Sequence, residues 1–188
     1  MVVCSEIQRS ILASAFDDFE RACRFPTFRT MSQFAEEEII LPSGPFKDQE
    51  YEIGRQPWSR HWFTLVESGA FPRFAVVGPT QTGKTLTCYL IPAMYYLFER
   101  GENVGCGIPD MIMSWEKWTN DFKPVIMASR YADLVPESGL GSKGGKFESI
   151  TFRNGASLIF VPARGSDTRR SGKTIRRKGS EVYRLQGS

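Results

Sequence analysis

Apolar residues recur at helical spacing along much of the chain. Ile7, Ile11, Leu12, Ala15, Phe16 and Phe19 fall near one face, and Ser5 with Gln8 forms a capping-box pattern, which predicts an amphipathic helix through about Ala22. Thr30 with Gln33 predicts a second, shorter helix through Glu38. Pro57 is placed to open a third, with Trp58, Trp62, Phe63, Leu65 and Val66 as its apolar face and Gly69 as its stop. From Lys84, Leu86, Leu90, Ala93, Met94, Leu97 and Phe98 repeat until Gly101. A last series, Met111, Ile112, Trp115, Trp118, Phe122, Val125 and Ile126, reads as a long helix whose aromatics belong to a core.

Short β-rich runs sit between these helices. Phe74 to Val77 reads as a buried strand, and Asn103 to Ile108 as another that Pro109 breaks. Phe147–Arg153 and Ala156–Pro162 flank Asn154-Gly155, a two-residue hairpin signal. The alternation predicts an α/β fold with a mainly parallel sheet flanked by helices, plus an inserted β-hairpin and a helical N-terminal leader. Leu41-Pro-Ser-Gly-Pro-Phe46 and the polar run to Arg55 read as a loop or linker. The run Glu36-Glu37-Glu38 reads as a solvated face, and residues 136–146, rich in Gly and Ser, as a mobile loop.

The chemistry concentrates at Gly78-Pro79-Thr80-Gln81-Thr82-Gly83-Lys84-Thr85. Two glycines, a lysine and a threonine at these offsets, after an apolar run and before a helix, match a phosphate-binding loop. Gly78 and Gly83 allow backbone conformations closed to other residues, so that N–H groups can turn toward phosphate oxygens, and the helix N-terminus adds a favourable dipole. Lys84 would supply a cation to the β- and γ-phosphates, and the Thr85 hydroxyl would ligate Mg²⁺. Residues 78–85 are thus the expected ATP site, with Lys84 as the catalytic group. Ser171-Gly-Lys-Thr174 imitates the end of this motif, but Asp167 stands where its first glycine is needed, and Arg164, Arg169, Arg170, Lys173, Arg176, Arg177 and Lys178 make it a basic surface loop.

Charge and cysteine usage narrow the class. The net charge of +3 divides unevenly: residues 1–56 hold six Lys/Arg against ten Asp/Glu, leaving eighteen against eleven in 57–188. The second part is therefore suited to nucleic acid. Cys4, Cys23, Cys88 and Cys106 show no CxxC pair and no ligand spacing with His61, which argues against structural zinc and for buried thiols in a reducing, cytoplasmic compartment. No apolar run reaches membrane-spanning length. His61, between Arg60 and Trp62, reads as a packed or surface residue rather than a base.

The phosphate loop, the strand ending at Pro109, the long helix, the hairpin and the Arg-rich segment together resemble the ATPase half of phage terminase large subunits, the lambda-like branch above all. Met31-Ser-Gln-Phe-Ala-Glu-Glu37 followed by Leu41-Pro-Ser-Gly-Pro-Phe46 is similar to that branch's lead-in, and Gln56-Pro-Trp-Ser-Arg60 to its PYQR element, so the resemblance spans roughly residues 28–176. It implies a motor in a bacterial host cell, of bacteriophage or prophage origin. Such a motor hydrolyses ATP with Mg²⁺ to move double-stranded DNA into a capsid, as a homo-oligomer working with a small terminase subunit and the capsid portal. Trp58 or Arg60 is a candidate adenine contact, although Ser59 stands where that family carries a glutamine. Arg164, Arg169 and Arg170 are candidates for DNA phosphates or a subunit interface.

The family also implies a strand ending in paired acids after Thr174-Ile-Arg176, and here the chain continues into a basic tail, 177–188, in which Glu181 is a poor substitute. The expected organisation is a helical leader and linker (1–56), an incomplete ATPase core (57–176) and a tail of non-native character (177–188). On that reading the chain is a fragment that binds ATP without hydrolysing it. Two alternatives stay open: a helicase-like DNA-dependent ATPase, and a non-catalytic nucleotide-binding remnant.

Overall fold

The computed structural model describes residues 15–16, 27–79, 81–110, 112–136, 141–143 and 146–162. Ala15 and Phe16 are helical, and the rest of the predicted N-terminal helix lies outside the described residues. The first full helix is α1, Met31–Glu38, with the expected capping box: the Gln33 N–H donates to the Thr30 hydroxyl at 3.2 Å, and the Gln33 side chain accepts from the Thr30 N–H at 2.9 Å. Such a cap stabilises a helix by about 1 kcal/mol. Helix α2, Trp58–Ser68, follows Pro57 and ends at Gly69 in the left-handed conformation, φ 61°, where a residue without a Cβ carries no steric cost.

Helix α3 is continuous through Thr85–Leu90, Ile91–Met94 and Tyr95–Glu99, and α4 through Ile112–Glu116, Lys117–Phe122 and Lys123–Ala128. Both contain a proline, Pro92 and Pro124, and in both the turns just upstream, Thr85–Leu90 and Lys117–Phe122, are wide π-type turns. A proline lacks the N–H for the regular ladder and its ring clashes with the carbonyl four residues earlier. Widening the preceding turn relieves that clash without ending the helix. From Leu90 to Leu97 every residue of α3 is buried, so α3 is the central rod of the molecule rather than a helix with one apolar stripe.

The sheet has the order β1-β4-β3-β2, with β1 at Val104–Ile108, β2 at Gly141–Lys143, β3 at Lys146–Thr151 and β4 at Ser157–Pro162. Among the described residues, parallel pairing is confined to β1 and β4, Val104 opposite Leu158 through Ile108 opposite Pro162, while β4–β3 and β3–β2 are antiparallel. Part of the Gly/Ser-rich segment expected to be mobile is therefore a strand. The hairpin is present, but its turn is not the two-residue type expected from Asn-Gly. The Gly155 N–H donates to the Phe152 carbonyl and the Phe152 N–H to the Ala156 carbonyl, both at 2.9 Å, closing a three-residue loop in which Gly155 alone has positive φ, 86°. Asn154 is spared the left-handed region and instead donates its amide to the Leu97 carbonyl at 2.9 Å, tying the turn to the end of α3.

Two further expectations change. Phe74 to Val77 is irregular rather than a strand, with Phe74 and Val76 half-buried and Val77 96% exposed. On α4 the buried line is Ser114, Trp118, Phe122 and Ile126, whereas Ile112 and Trp115 are exposed. The wide turn moves the core-facing stripe to a spacing of four and brings Ser114 inward in place of Trp115. One hydrophobic cluster joins Met31, Phe34 and Ile39 of the leader to Met94 and Leu97 of α3 and to Leu158 and Phe160 of β4. Among the described residues no helix is long and apolar enough to cross a membrane.

The acidic run is a solvated face only in part: Glu36 and Glu37 are exposed, as expected, while Glu38 is buried. Arg29 donates through Nη1 to Glu37 and Glu38, both at 2.6 Å, through Nη2 to Glu99 at 2.6 Å and the Tyr131 hydroxyl at 3.1 Å, and through its backbone N–H to Glu99 at 3.0 Å. Arg130 adds a second cation to the buried Glu38 carboxylate at 2.7 Å. Glu36 accepts from the Ile53 N–H at 3.1 Å. Hydrogen bonding to Glu99, then to Glu38 and Glu37, outweighs burial and pushes the Arg29 pKa up; the same contact holds Glu99 below the usual carboxylate range.

Arg29→Ala removes the cation from Glu99 and one of the two cations from the buried Glu38, and is expected to lower the unfolding free energy by about 2 kcal/mol, measured by urea titration at pH 7. Because the folded Glu99 pKa is depressed, its contribution is present above the ordinary value of 4.5 and is lost as pH falls toward and through the folded value. Glu99→Gln should therefore lower stability at pH 7 and flatten its fall between pH 5 and 3; an acid limb as steep as the wild type's would exclude this role.

Candidate nucleotide-binding loop

The predicted loop leads directly into α3. Gln81 and Gly83 both have positive φ, 59° and 73°, and between them the backbone turns sharply before the Thr87 N–H donates to the Gly83 carbonyl at 2.9 Å as the first helical bond. The N–H groups of the opening turn consequently have no helical partner. A left-handed Gln is uncommon, and strained positions of this kind gather where a ligand is bound. Gly78, Pro79 and Gln81 are exposed and Thr82, Gly83, Lys84 and Thr85 half-buried; Thr80 lies outside the described residues.

Lys84 folds back over its own loop. Its ammonium donates to the Gly78 carbonyl at 2.8 Å, to the Pro79 carbonyl, and to the Thr82 hydroxyl at 3.3 Å, while that hydroxyl donates to the Pro79 carbonyl at 3.0 Å. Around Gly78, an added Cβ would meet Lys84 Cδ at 3.6 Å. The motif thus closes into a ring at the start of a helix, where the Lys84 cation and the helix dipole favour an anion.

Behind the loop stands a group of residues that motif reading did not select. Gln56 donates to the Thr82 carbonyl at 3.3 Å and accepts from the Thr87 hydroxyl at 3.0 Å, which in turn lies 3.2 Å from the Tyr51 hydroxyl. Thr87 is fully buried and Tyr51 nearly so; burial pushes the Tyr51 pKa up, against the lowering by its hydrogen bonds to Ser59 and Thr87. Gly83 is required here on two counts: its φ is positive, and a Cβ on it would stand 2.6 Å from the Gln56 amide nitrogen. No sequence signal marked Gln56 beyond its place in the Gln56-Pro-Trp-Ser-Arg60 element, because its bonds reach across 26 and 31 positions.

The remaining candidates are dispersed. Ser59 is fully buried and donates to the Gln56 carbonyl at 2.6 Å, so it closes the first turn of α2. Trp58 is 41% exposed rather than in the core, and Arg60 and His61 are exposed. Arg164, Arg169, Arg170, the Ser171–Thr174 segment and Glu181 lie outside the described residues. Cys88, one turn beyond Lys84, and Cys106 on β1 are buried, and burial pushes each thiol up to about 12; Cys4 and Cys23 lie outside the described residues. For a divalent cation the loop offers the Thr85 hydroxyl, and among the described residues no three His, Cys, Asp or Glu side chains gather as ligands.

Compared with family models, curated proteins and solved structures, the chain matches none of them.

In a C4S/C23S variant, Cys88 and Cys106 are expected to stay unreactive toward Ellman's reagent at pH 8 until denaturant is added, because thiolate is scarce four units below the pKa. Rapid labelling of the folded variant would show that this end of α3 opens.

Proposed function

We propose that the chain binds ATP at residues 78–85 and is the ATP-binding part of a DNA-packaging motor of the terminase large-subunit kind. The observation that carries the first half is the closed ring of Gly78, Pro79, Thr82 and Lys84 at the start of a long helix, with Gln81 and Gly83 held left-handed. The second half rests on the resemblance of the elements around that loop.

In this reading each residue has a limited task. Backbone N–H groups at the mouth of α3 meet phosphate oxygens, and Lys84 neutralises their charge by exchanging a loop carbonyl for a phosphate oxygen. The Thr85 hydroxyl holds Mg²⁺, whose role when bound is to neutralise and orient the phosphates. Gly83 keeps the backbone close enough for these contacts, whereas at Gly78 a Cβ would meet only ordinary van der Waals contacts. The basic segment 164–178 would meet DNA phosphates without reading sequence.

Calorimetric titration with MgATP tests it. Lys84→Ala should weaken binding about 10- to 100-fold, the worth of one or two charge-assisted hydrogen bonds. Turnover stimulated by double-stranded DNA would support the motor reading over a non-catalytic nucleotide-binding module, whereas binding without turnover would favour the module. Wild-type affinity in Lys84→Ala would rule out the loop as the site.

A further inference from the structure

We propose that Gln56 is a positioning residue of the phosphate loop, fixing through the Thr82 carbonyl the direction in which the Gly83 N–H is offered to a nucleotide phosphate; this rests on the reading of residues 78–85 as a nucleotide site. The peptide joining Thr82 to Gly83 is planar, and among the described residues no peptide bond is cis. In a trans peptide the C=O and the following N–H point in opposite directions. A donor that holds the Thr82 carbonyl at 3.3 Å therefore turns the Gly83 N–H away from itself. Backbone N–H direction is what such a loop contributes to anion binding, so the Gln56 amide controls one of its donors.

Gln56 is itself held in one orientation. Its NH₂ must face the Thr82 carbonyl, since a carbonyl can only accept, and this leaves Oε1 facing the Thr87 hydroxyl at 3.0 Å. Thr87 has a single hydroxyl proton, and once that proton is given to Gln56, the Tyr51 hydroxyl at 3.2 Å must be the donor to Thr87. The chain runs Tyr51 to Thr87 to Gln56 to Thr82, each donor satisfied by the next acceptor. Gly83 admits the brace because any Cβ would lie 2.6 Å from the Gln56 nitrogen.

The test uses the full chain, MgATP as the probe and ¹⁵N-glycine labelling. Gln56→Glu keeps the shape of the side chain but replaces the donor by an oxygen that repels the Thr82 carbonyl. It should shift the Gly83 amide resonance before nucleotide is added, leave the Gly101 and Gly155 amides in place, and weaken MgATP at least fivefold. Thr87→Val, which removes the link to Tyr51, should weaken binding two- to threefold. Should Gln56→Glu fail to fold, Gln56→Ala and Thr87→Val carry the same two readouts. An unmoved Gly83 resonance overturns the proposal, as does unchanged affinity in a chain whose binding depends on Lys84. Absence of MgATP binding by the wild type would instead overturn the site reading itself, and the role of Gln56 with it.

Discussion

The Arg29 guanidinium is the junction on which the arrangement of the leader and the central helix depends. Its fork accepts no substitute of one charge and one direction, because it reaches two carboxylates on α1, a third at the end of α3 and the Tyr131 hydroxyl beyond α4. The Tyr95 hydroxyl donates to its carbonyl at 2.9 Å, and its guanidinium lies 5.6 Å from the Phe34 ring centroid. Three carboxylates near one another would repel, and one of them, Glu38, is almost fully buried. The cations Arg29 and Arg130 convert that repulsion into a joint between helices, which apolar packing alone would leave free to slide.

Elements whose cause is local were readable from the sequence. The capping box at Thr30 and Gln33, the proline that opens α2, the glycine that ends it and the start of α3 after Gly83 each depend on residues within one turn. Where distant contacts decide, the reading diverged. Glu38 was read as solvated along with the exposed Glu36 and Glu37, because the Arg130 that holds it inside lies far along the chain. Trp115 looked like core because a regular helical period was assumed through Pro124, and the wide turn upstream of that proline changes the period.

The candidate loop shows the same division. The left-handed turn at Gly83, just before α3, is a local backbone requirement that the glycine there signals, while Gly78 adopts no positive φ. The brace behind the loop could not be found by inspection, since Tyr51, Gln56 and Thr87 carry no spacing rule and meet only because the 39–51 segment doubles back, with Tyr51 donating to the Ile39 carbonyl at 2.8 Å. The candidate site is in this respect a local motif held by a tertiary hydrogen-bond chain.

Both ends of α3 are tied to one stretch of sequence. Residue 29 grips Glu99 at the C-terminal end, and residues 51 and 56 grip Thr87 and Thr82 at the N-terminal end. The two fastenings stand at opposite ends of the helix Thr85–Glu99. The stretch 29–56 therefore acts as a strap fastened at both ends of a rod. A strap of this kind opposes axial sliding of the helix and ties the loop at one end of it to the leader at the other.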